Sequence, residues 1–220
     1  MTAFPFDVIV FDLDGTLADT APDLAASLNH ALAMLGRSQV PVESVRHLVG
    51  HGARALLRRG LATSGDAPEE LVDAGMQHFL DYYAAHICDG TLVFPGLETA
   101  LDEIAAAGAK LAICTNKPDR LTHALIEALG WGNRFDAIVG ADTMGVRKPD
   151  PLPLHEAIAR AGGGRAVLVG DSITDADTAR AAGVPFIAVS FGFADRPVAE
   201  LGAAAVIDHY DELLPALRRL

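Results

Sequence analysis

The stretch Val8-Ile9-Val10-Phe11-Asp12-Leu13-Asp14-Gly15-Thr16 opens on four apolar residues and runs into two carboxylates and a glycine. A short unbroken apolar run of this kind suits a strand buried on both faces of a parallel sheet. The carboxylates then stand at the strand's C-terminal end, the edge where open α/β sheets bind their ligands. Similar runs recur at residues 111–114, 137–139, 166–169, 186–189 and 205–207, with helical patterns between them at 118–129, 151–161 and 174–182. This alternation predicts an α/β fold, a parallel sheet with helices on both faces.

Residues 19–92 break the rhythm, because they hold several helical patterns and no convincing strand. They read as an inserted helical unit. In its first helix Thr20 and Asp23 have capping-box spacing, Pro22 lies in the first turn, and Leu24, Leu28, Ala31, Leu32 and Leu35 share one face. Gly36 stands where a helix stop is expected. Further helices are predicted at 43–48, 53–61 and 68–87, with Gly50-His51-Gly52 as a bend.

At 220 residues the chain has room for a main core and a smaller accessory unit, and its composition, half apolar and 21% charged, is ordinary for a globular protein. A net charge of -12 with no Lys/Arg run disfavours nucleic acid and acidic membranes. The same field repels an anionic substrate, so a phosphate site needs a cation and lysines close at hand. Cys88 and Cys114 are too few for a disulfide framework and lack metal-ligand spacing. They read as small buried hydrophobes in a reducing compartment. The start of the chain has no basic region followed by a long apolar run, and no stretch is long enough to span a bilayer. The expectation is a soluble cytoplasmic protein with neither nucleic acid nor membrane among its partners.

The strand ends carry Asp12-Leu13-Asp14-Gly15-Thr16, Thr115-Asn116-Lys117 and Gly170-Asp171-Ser172-Ile173-Thr174-Asp175, and Lys148 lies in the loop after the third strand. Singly, each has an ordinary explanation: acids cap helices, Thr-Asn starts turns, and a lysine before proline is usually solvated. Together they deliver polar groups from separate strands to one edge of an apolar sheet. Two carboxylates two residues apart allow one to attack while the other shuttles a proton. Asp171 and Asp175 add negative charge, and acids so crowded call for Mg2+, a hard cation that takes carboxylates, waters and phosphate oxygens. Three ionised acids, Asp12, Asp171 and Asp175, are balanced by Mg2+ and Lys148 if Asp14 is protonated.

These motifs resemble those of the haloacid dehalogenase superfamily along essentially the whole chain. The resemblance implies a Rossmann-like core, residues 1–18 and 93–220, with a mobile all-helical cap, residues 19–92, inserted after the first strand. It implies that Asp12 is the nucleophile, forming an aspartyl-phosphate, and Asp14 the general acid and base. Asp12, the Asp14 backbone carbonyl and Asp171 would hold Mg2+. Thr115 and the Asn116 backbone would hold the phosphoryl oxygens, Lys148 would stabilise the charged intermediate, and Asp175 would be a supporting residue. An acid at Asp14 argues against carbon–halogen hydrolysis, since the true dehalogenases lack it, whereas phosphomutase relatives keep it.

The segment from Phe11 to Leu24 is similar to the opening signature of bacterial phosphoglycolate phosphatases almost residue for residue. Cys114-Thr115-Asn116-Lys117-Pro118 and the stretch from Asp142 to Pro151 resemble later segments of the same enzymes. The implied partner is a small phosphorylated substrate, 2-phosphoglycolate, hydrolysed to glycolate and phosphate. Sugar-phosphate and pyrophosphate hydrolases share much of the pattern and stay open. A binding protein for phosphorylated ligands is a third reading, though it needs no nucleophile paired with an acid.

If the core performs a generic displacement, the cap must select the substrate. Val49-Gly50-His51-Gly52-Ala53-Arg54 is the candidate: Arg54 offers a two-pronged contact for a carboxylate, with His51 as a second partner, or else is a solvated arginine in a helix's first turn. The remaining histidines show no metal spacing. Phe191-Gly192-Phe193 reads either as a pocket edge or as a packed loop, and Trp131, between glycines, as the anchor of a surface loop.

Overall fold

The computed structural model describes residues 5–46, 48–50, 52–194 and 196–220. The chain runs β1 (Val8–Phe11), β2 (Ala18–Asp19), α1 (Ala21–Met34), α2 (Val42–Arg46), α3 (Ala53–Ala62), α4 (Glu69–Ala85), β3 (Leu92–Val93), α5 (Leu97–Ala106), β4 (Lys110–Cys114) and α6 (Asp119–Ala128). It continues through β5 (Ala137–Val139), α7 (Leu152–Arg160), β6 (Ala166–Gly170), α8 (Ile173–Ala182), β7 (Phe186–Val189), β8 (Ala205–Ile207) and α9 (Leu213–Arg219). Six strands form one parallel sheet in the order β5-β4-β1-β6-β7-β8.

β1 is buried on both faces, and its alternate residues feed different cores. Ile9 and Phe11 join one apolar cluster with Ile113, Val169 and Leu101, while Val8 and Val10 join another with Ala112, Leu168 and Leu154. This two-sided burial is why the strand reads as an unbroken apolar run rather than an alternating one. β1 lies between β4 and β6, and the chain builds outward from it in both directions. The crevice beyond its C-terminal end is therefore a topological switch point.

The helices α1 to α4 form a cap with an apolar core of their own, in which Leu28, Leu32, Leu57, Leu61 and Phe79 are fully buried. Each such side chain contributes about 1.5–3 kcal/mol by leaving water. The cluster reaches across to Leu121 of α6 and to Phe193, so the cap packs against the core. The expected bend is present, with Gly50 and Gly52 at φ of 103° and 84°, a region open mainly to glycine. The helix stop at Gly36 is present too, sealed by a hydrogen bond from the Arg37 amide to the Leu32 carbonyl at 2.8 Å.

Three local expectations are corrected. The cap is joined to the core by two short strands, β2 and β3, paired antiparallel as Ala18 with Val93 and Asp19 with Leu92. Two-residue strands carry no periodicity to detect. Thr20 and Asp23 form no capping box at α1: the Thr20 hydroxyl donates to Asp14 Oδ1 at 2.8 Å, and Asp23 accepts from the Gly90 amide and the Thr91 hydroxyl. Spacing predicted a local bond, but tertiary partners took both side chains. Trp131 is buried in the main core, its indole N–H donating to Glu98 Oε1 at 3.1 Å, so it is a core residue rather than a surface anchor.

Candidate active site

Four strand ends supply the site. β1 is followed by Asp12 and Asp14, β4 by Thr115, Asn116 and Lys117, the loop after β5 by Lys148, and β6 by Asp171 and Asp175. Apart from Asp14 and Asn116, which are partly exposed, all are buried.

Lys148 joins two of the acids, with its Nζ 2.9 Å from Asp12 Oδ1 and 2.6 Å from Asp175 Oδ1. Burial alone would push the ammonium down, but the charges of Asp12 and Asp175 outweigh it and hold Lys148 above its ordinary range. One lysine does not neutralise three acids. Burial raises Asp12 to about 6, with Lys148 pulling it down and Asp175 pushing it up. Burial, followed by the charges of Asp175 and Asp12, lifts Asp171 well above the usual carboxylate range.

Hydrogen bonds aim each acid. Asp12 Oδ1 accepts from the Leu13 amide at 2.7 Å and also meets Lys148, which leaves Oδ2 as the oxygen turned away from these contacts. Asp171 accepts from the Phe193 amide at 2.6 Å and the Thr16 hydroxyl at 3.3 Å. Asp175 closes a capping box at the start of α8, its Oδ2 accepting from the Ser172 amide and hydroxyl. Gly15, at φ 83°, lets the backbone pass under Asp171: a Cβ there would lie 2.3 Å from Asp171 Oδ2. The loop 191–193 is thus a packed support for Asp171, with Phe193 buried above it.

Asp12, Asp171 and Asp175 each bring a carboxylate oxygen within 4.8 Å of the other two, all three buried. All-oxygen donors, crowded and short of positive charge, fit a hard divalent cation.

Lys117 is the residue that sequence reasoning missed. Its Nζ lies 2.9 Å and 3.2 Å from the two oxygens of Asp14 and also donates to the Tyr83 hydroxyl of α4, with only 2% of its side chain exposed. The signal was its place two residues beyond Thr115 at a strand end. This ion pair changes the charge tally: with Asp14 ionised, four acids against two lysines leave a deficit that one divalent cation closes, and with Asp14 carrying the proton it is to donate, the same cation leaves one positive charge for the incoming phosphate. Tyr83 had no sequence signal, because only the folding of α4 over the core brings it here.

Thr115 and Asn116 line the pocket beside Asp12 and Asp14. The Thr115 hydroxyl accepts from the Lys117 amide at 3.3 Å, and the Asn116 amide group donates to the Lys148 carbonyl at 3.1 Å. The structure does not bring Arg54 to this pocket. Its guanidinium lies on the outer face of the cap, 2.6 Å from both Glu69 and Asp73 of α4, and is 39% exposed. Two acids one helical turn apart on α4 captured it, a pairing invisible in its own segment. His51 lies outside the described residues. Cys114 is buried, and burial pushes its thiol up to about 12, so it stays protonated and is no nucleophile. The cavity is small, about 40 Å3, and its cap side is apolar, with Leu24, Val49, Leu56 and Phe79.

Comparison with known proteins agrees with this geometry. The haloacid dehalogenase-like hydrolase family model matches residues 9–189. A phosphoglycolate phosphatase of Mesorhizobium japonicum is 49% identical over 211 residues, covering 94% of this chain and 92% of that protein. One from Caulobacter vibrioides is 48% identical over 206 residues, covering 92% and 86%. The crystal structure of a predicted phosphoglycolate phosphatase from Haemophilus somnus superposes with a TM-score of 0.89 at 28% identity, over 96% of this chain and 97% of that one.

Proposed function

This chain belongs to the haloacid dehalogenase-like hydrolases, and from that premise we propose that it hydrolyses 2-phosphoglycolate to glycolate and phosphate through an aspartyl-phosphate on Asp12. It is a phosphoric monoester hydrolase. The observation that carries the mechanism is the placing of Asp12, which lines the small pocket under the cap together with Asp14 and also meets Lys148 at 2.9 Å and a carboxylate oxygen of Asp171 within 4.8 Å.

Asp12 attacks phosphorus through Oδ2, the oxygen its hydrogen bonds leave available. The ester oxygen departs and takes a proton from Asp14, and Asp14 then draws a proton from the water that cleaves the aspartyl-phosphate. Thr115 and the Asn116 backbone hold the phosphoryl oxygens. Lys148 stays ionised and offsets charge on the phosphorylated Asp12, while Asp175, fixed by Ser172, holds Lys148 in place. Asp12, Asp171 and the Asp14 carbonyl would hold Mg2+, which when bound would supply positive charge to the phosphoryl group. In this reading residues 1–18 and 93–220 are the catalytic core, and residues 19–92 are the cap that closes over it and excludes water.

The choice of 2-phosphoglycolate rests on the two relatives named for that substrate. The test is phosphate release across a panel of esters, with and without Mg2+. The highest kcat/KM should fall on 2-phosphoglycolate and vanish with chelator. A higher value on a sugar phosphate or pyrophosphate would transfer the assignment to that ester.

A further inference from the structure

Selection of 2-phosphoglycolate needs a partner for its carboxylate, and Arg54, the one expected from sequence, is bound to Glu69 and Asp73 on the outside of the cap. We propose that Lys117 of the core and the Tyr83 hydroxyl of the cap together bind that second anionic group, the carboxylate of a short phosphorylated hydroxy acid. This rests on the phosphatase reading above.

Among the described residues that line the pocket, Lys117 is the only basic one, and the cap side around it is apolar. A substrate carboxylate desolvated there without a cation would be strongly disfavoured. Three other cations are committed, Lys148 to Asp12 and Asp175, Arg46 to Asp19, and Arg54 to Glu69 and Asp73, and Arg147, exposed on the Gly52 side, does not line the pocket. The Lys117 ammonium donates to both Asp14 oxygens on the core side and to the Tyr83 hydroxyl on the cap side, so a substrate carboxylate replaces one of these acceptors, and all three residues line the cavity.

Tyr83 suits the same task. It accepts from Lys117, and burial, reinforced by the charges of Asp14 and Asp23, holds its phenol well above the ordinary range. The hydroxyl therefore keeps a proton to give to a carboxylate oxygen. Because Lys117 follows β4 and Tyr83 sits on α4, the pair is complete only when the cap lies against the core. A substrate with a carboxylate thereby stabilises the closed arrangement, and one without it does not.

The test compares kcat/KM for 2-phosphoglycolate with that for its uncharged amide, 2-phosphoglycolamide, in wild type, Lys117→Met and Tyr83→Phe. A charge-assisted contact predicts that Lys117→Met lowers the preference for the acid by about 10- to 150-fold. Tyr83→Phe, which keeps the ring, should raise KM for the acid by about 2- to 10-fold and leave the amide's KM unchanged. Parallel loss of both substrates in Lys117→Met would show that Lys117 serves only Asp14, and would overturn the pair. So would a selective loss in Arg147→Ala, an exposed arginine on the Gly52 side of the pocket. If Lys117→Met does not fold, the Tyr83→Phe result decides alone, and an unchanged KM for the acid is then fatal. A wild type that prefers another phosphate ester altogether refutes the 2-phosphoglycolate assignment itself, which is a different failure from a wild type that prefers the acid through other residues.

Discussion

The core and the cap handle charge in opposite ways. The core turns four acids and two lysines inward, to the C-terminal edge of the sheet, where all but the partly exposed Asp14 are buried and lie against one another. The cap holds Arg54 and Arg58 against Glu69 and Asp73 on its surface, and presents Leu24, Val49, Leu56 and Phe79 to the pocket. The difference separates two tasks. Charges that act on phosphorus need a rigid sheet to hold them against mutual repulsion. A cap that excludes water strengthens those charges by lowering the local dielectric, and it needs only apolar surface to do so. Tyr83 is the point where the division is crossed.

The sharpest test of this division is Asp12→Asn, which keeps shape and removes the attacking group. Turnover should fall by on the order of 10⁴–10⁶-fold, with circular dichroism and cap packing unchanged. Near-normal turnover would end the covalent mechanism.

Asp14→Asn should cost about 10²–10⁴-fold on alkyl phosphates, the usual worth of general acid catalysis. An aryl phosphate whose leaving group needs no proton should be partly spared. Equal losses on both would mean that Asp14 works only as the partner of Lys117 and Thr20.

Metal binding reads the charge deficit of the core directly. Asp12 is raised to about 6 and Asp171 is raised as well, so the folded protein holds their charged forms at a cost that protonation relieves as pH falls through about 6. Mg2+ binds the charged forms. At pH 8, Mg2+ at 100 times its Kd should therefore stabilise the protein by about 2.7 kcal/mol, and this gain should shrink as pH falls below about 6, where protons compete for the same oxygens. Thermal unfolding with and without Mg2+ across pH 5 to 8 measures it; a gain independent of pH would place the ion elsewhere.

The smallest effect is expected at Arg54. With its guanidinium on the outer face, Arg54→Ala should change kcat/KM by no more than about 2-fold, for carboxylate and neutral esters alike. A selective loss on the carboxylate substrate would mean that the arginine leaves Glu69 and Asp73 and swings inward when substrate binds.

Much of this molecule was legible before folding, for identifiable reasons. All six strands of the main sheet were expected from short apolar runs, and in the inner strands β1, β6 and β7 the run is unbroken because both faces are buried. Asp12, Asp14, Thr115, Asn116, Lys148, Asp171 and Asp175 were singled out because parallel strands deliver the residues that follow them to one crevice. The helical insert showed itself through helical periodicity. These are local signals, written within a few residues.

What only the tertiary structure decided are pairings between distant segments. Thr20 and Asp23 had the spacing of a cap, yet one went to Asp14 and the other to Gly90 and Thr91. Arg54 stood at the right bend, yet α4 offered it two carboxylates on the far side. Lys117 and Tyr83 meet because α4 folds back over the end of β4, and neither segment says so alone. The physical reason is common to all three: a side chain's hydrogen bond goes to whichever partner packing brings within reach, and sequence spacing specifies partners only within a turn or a strand.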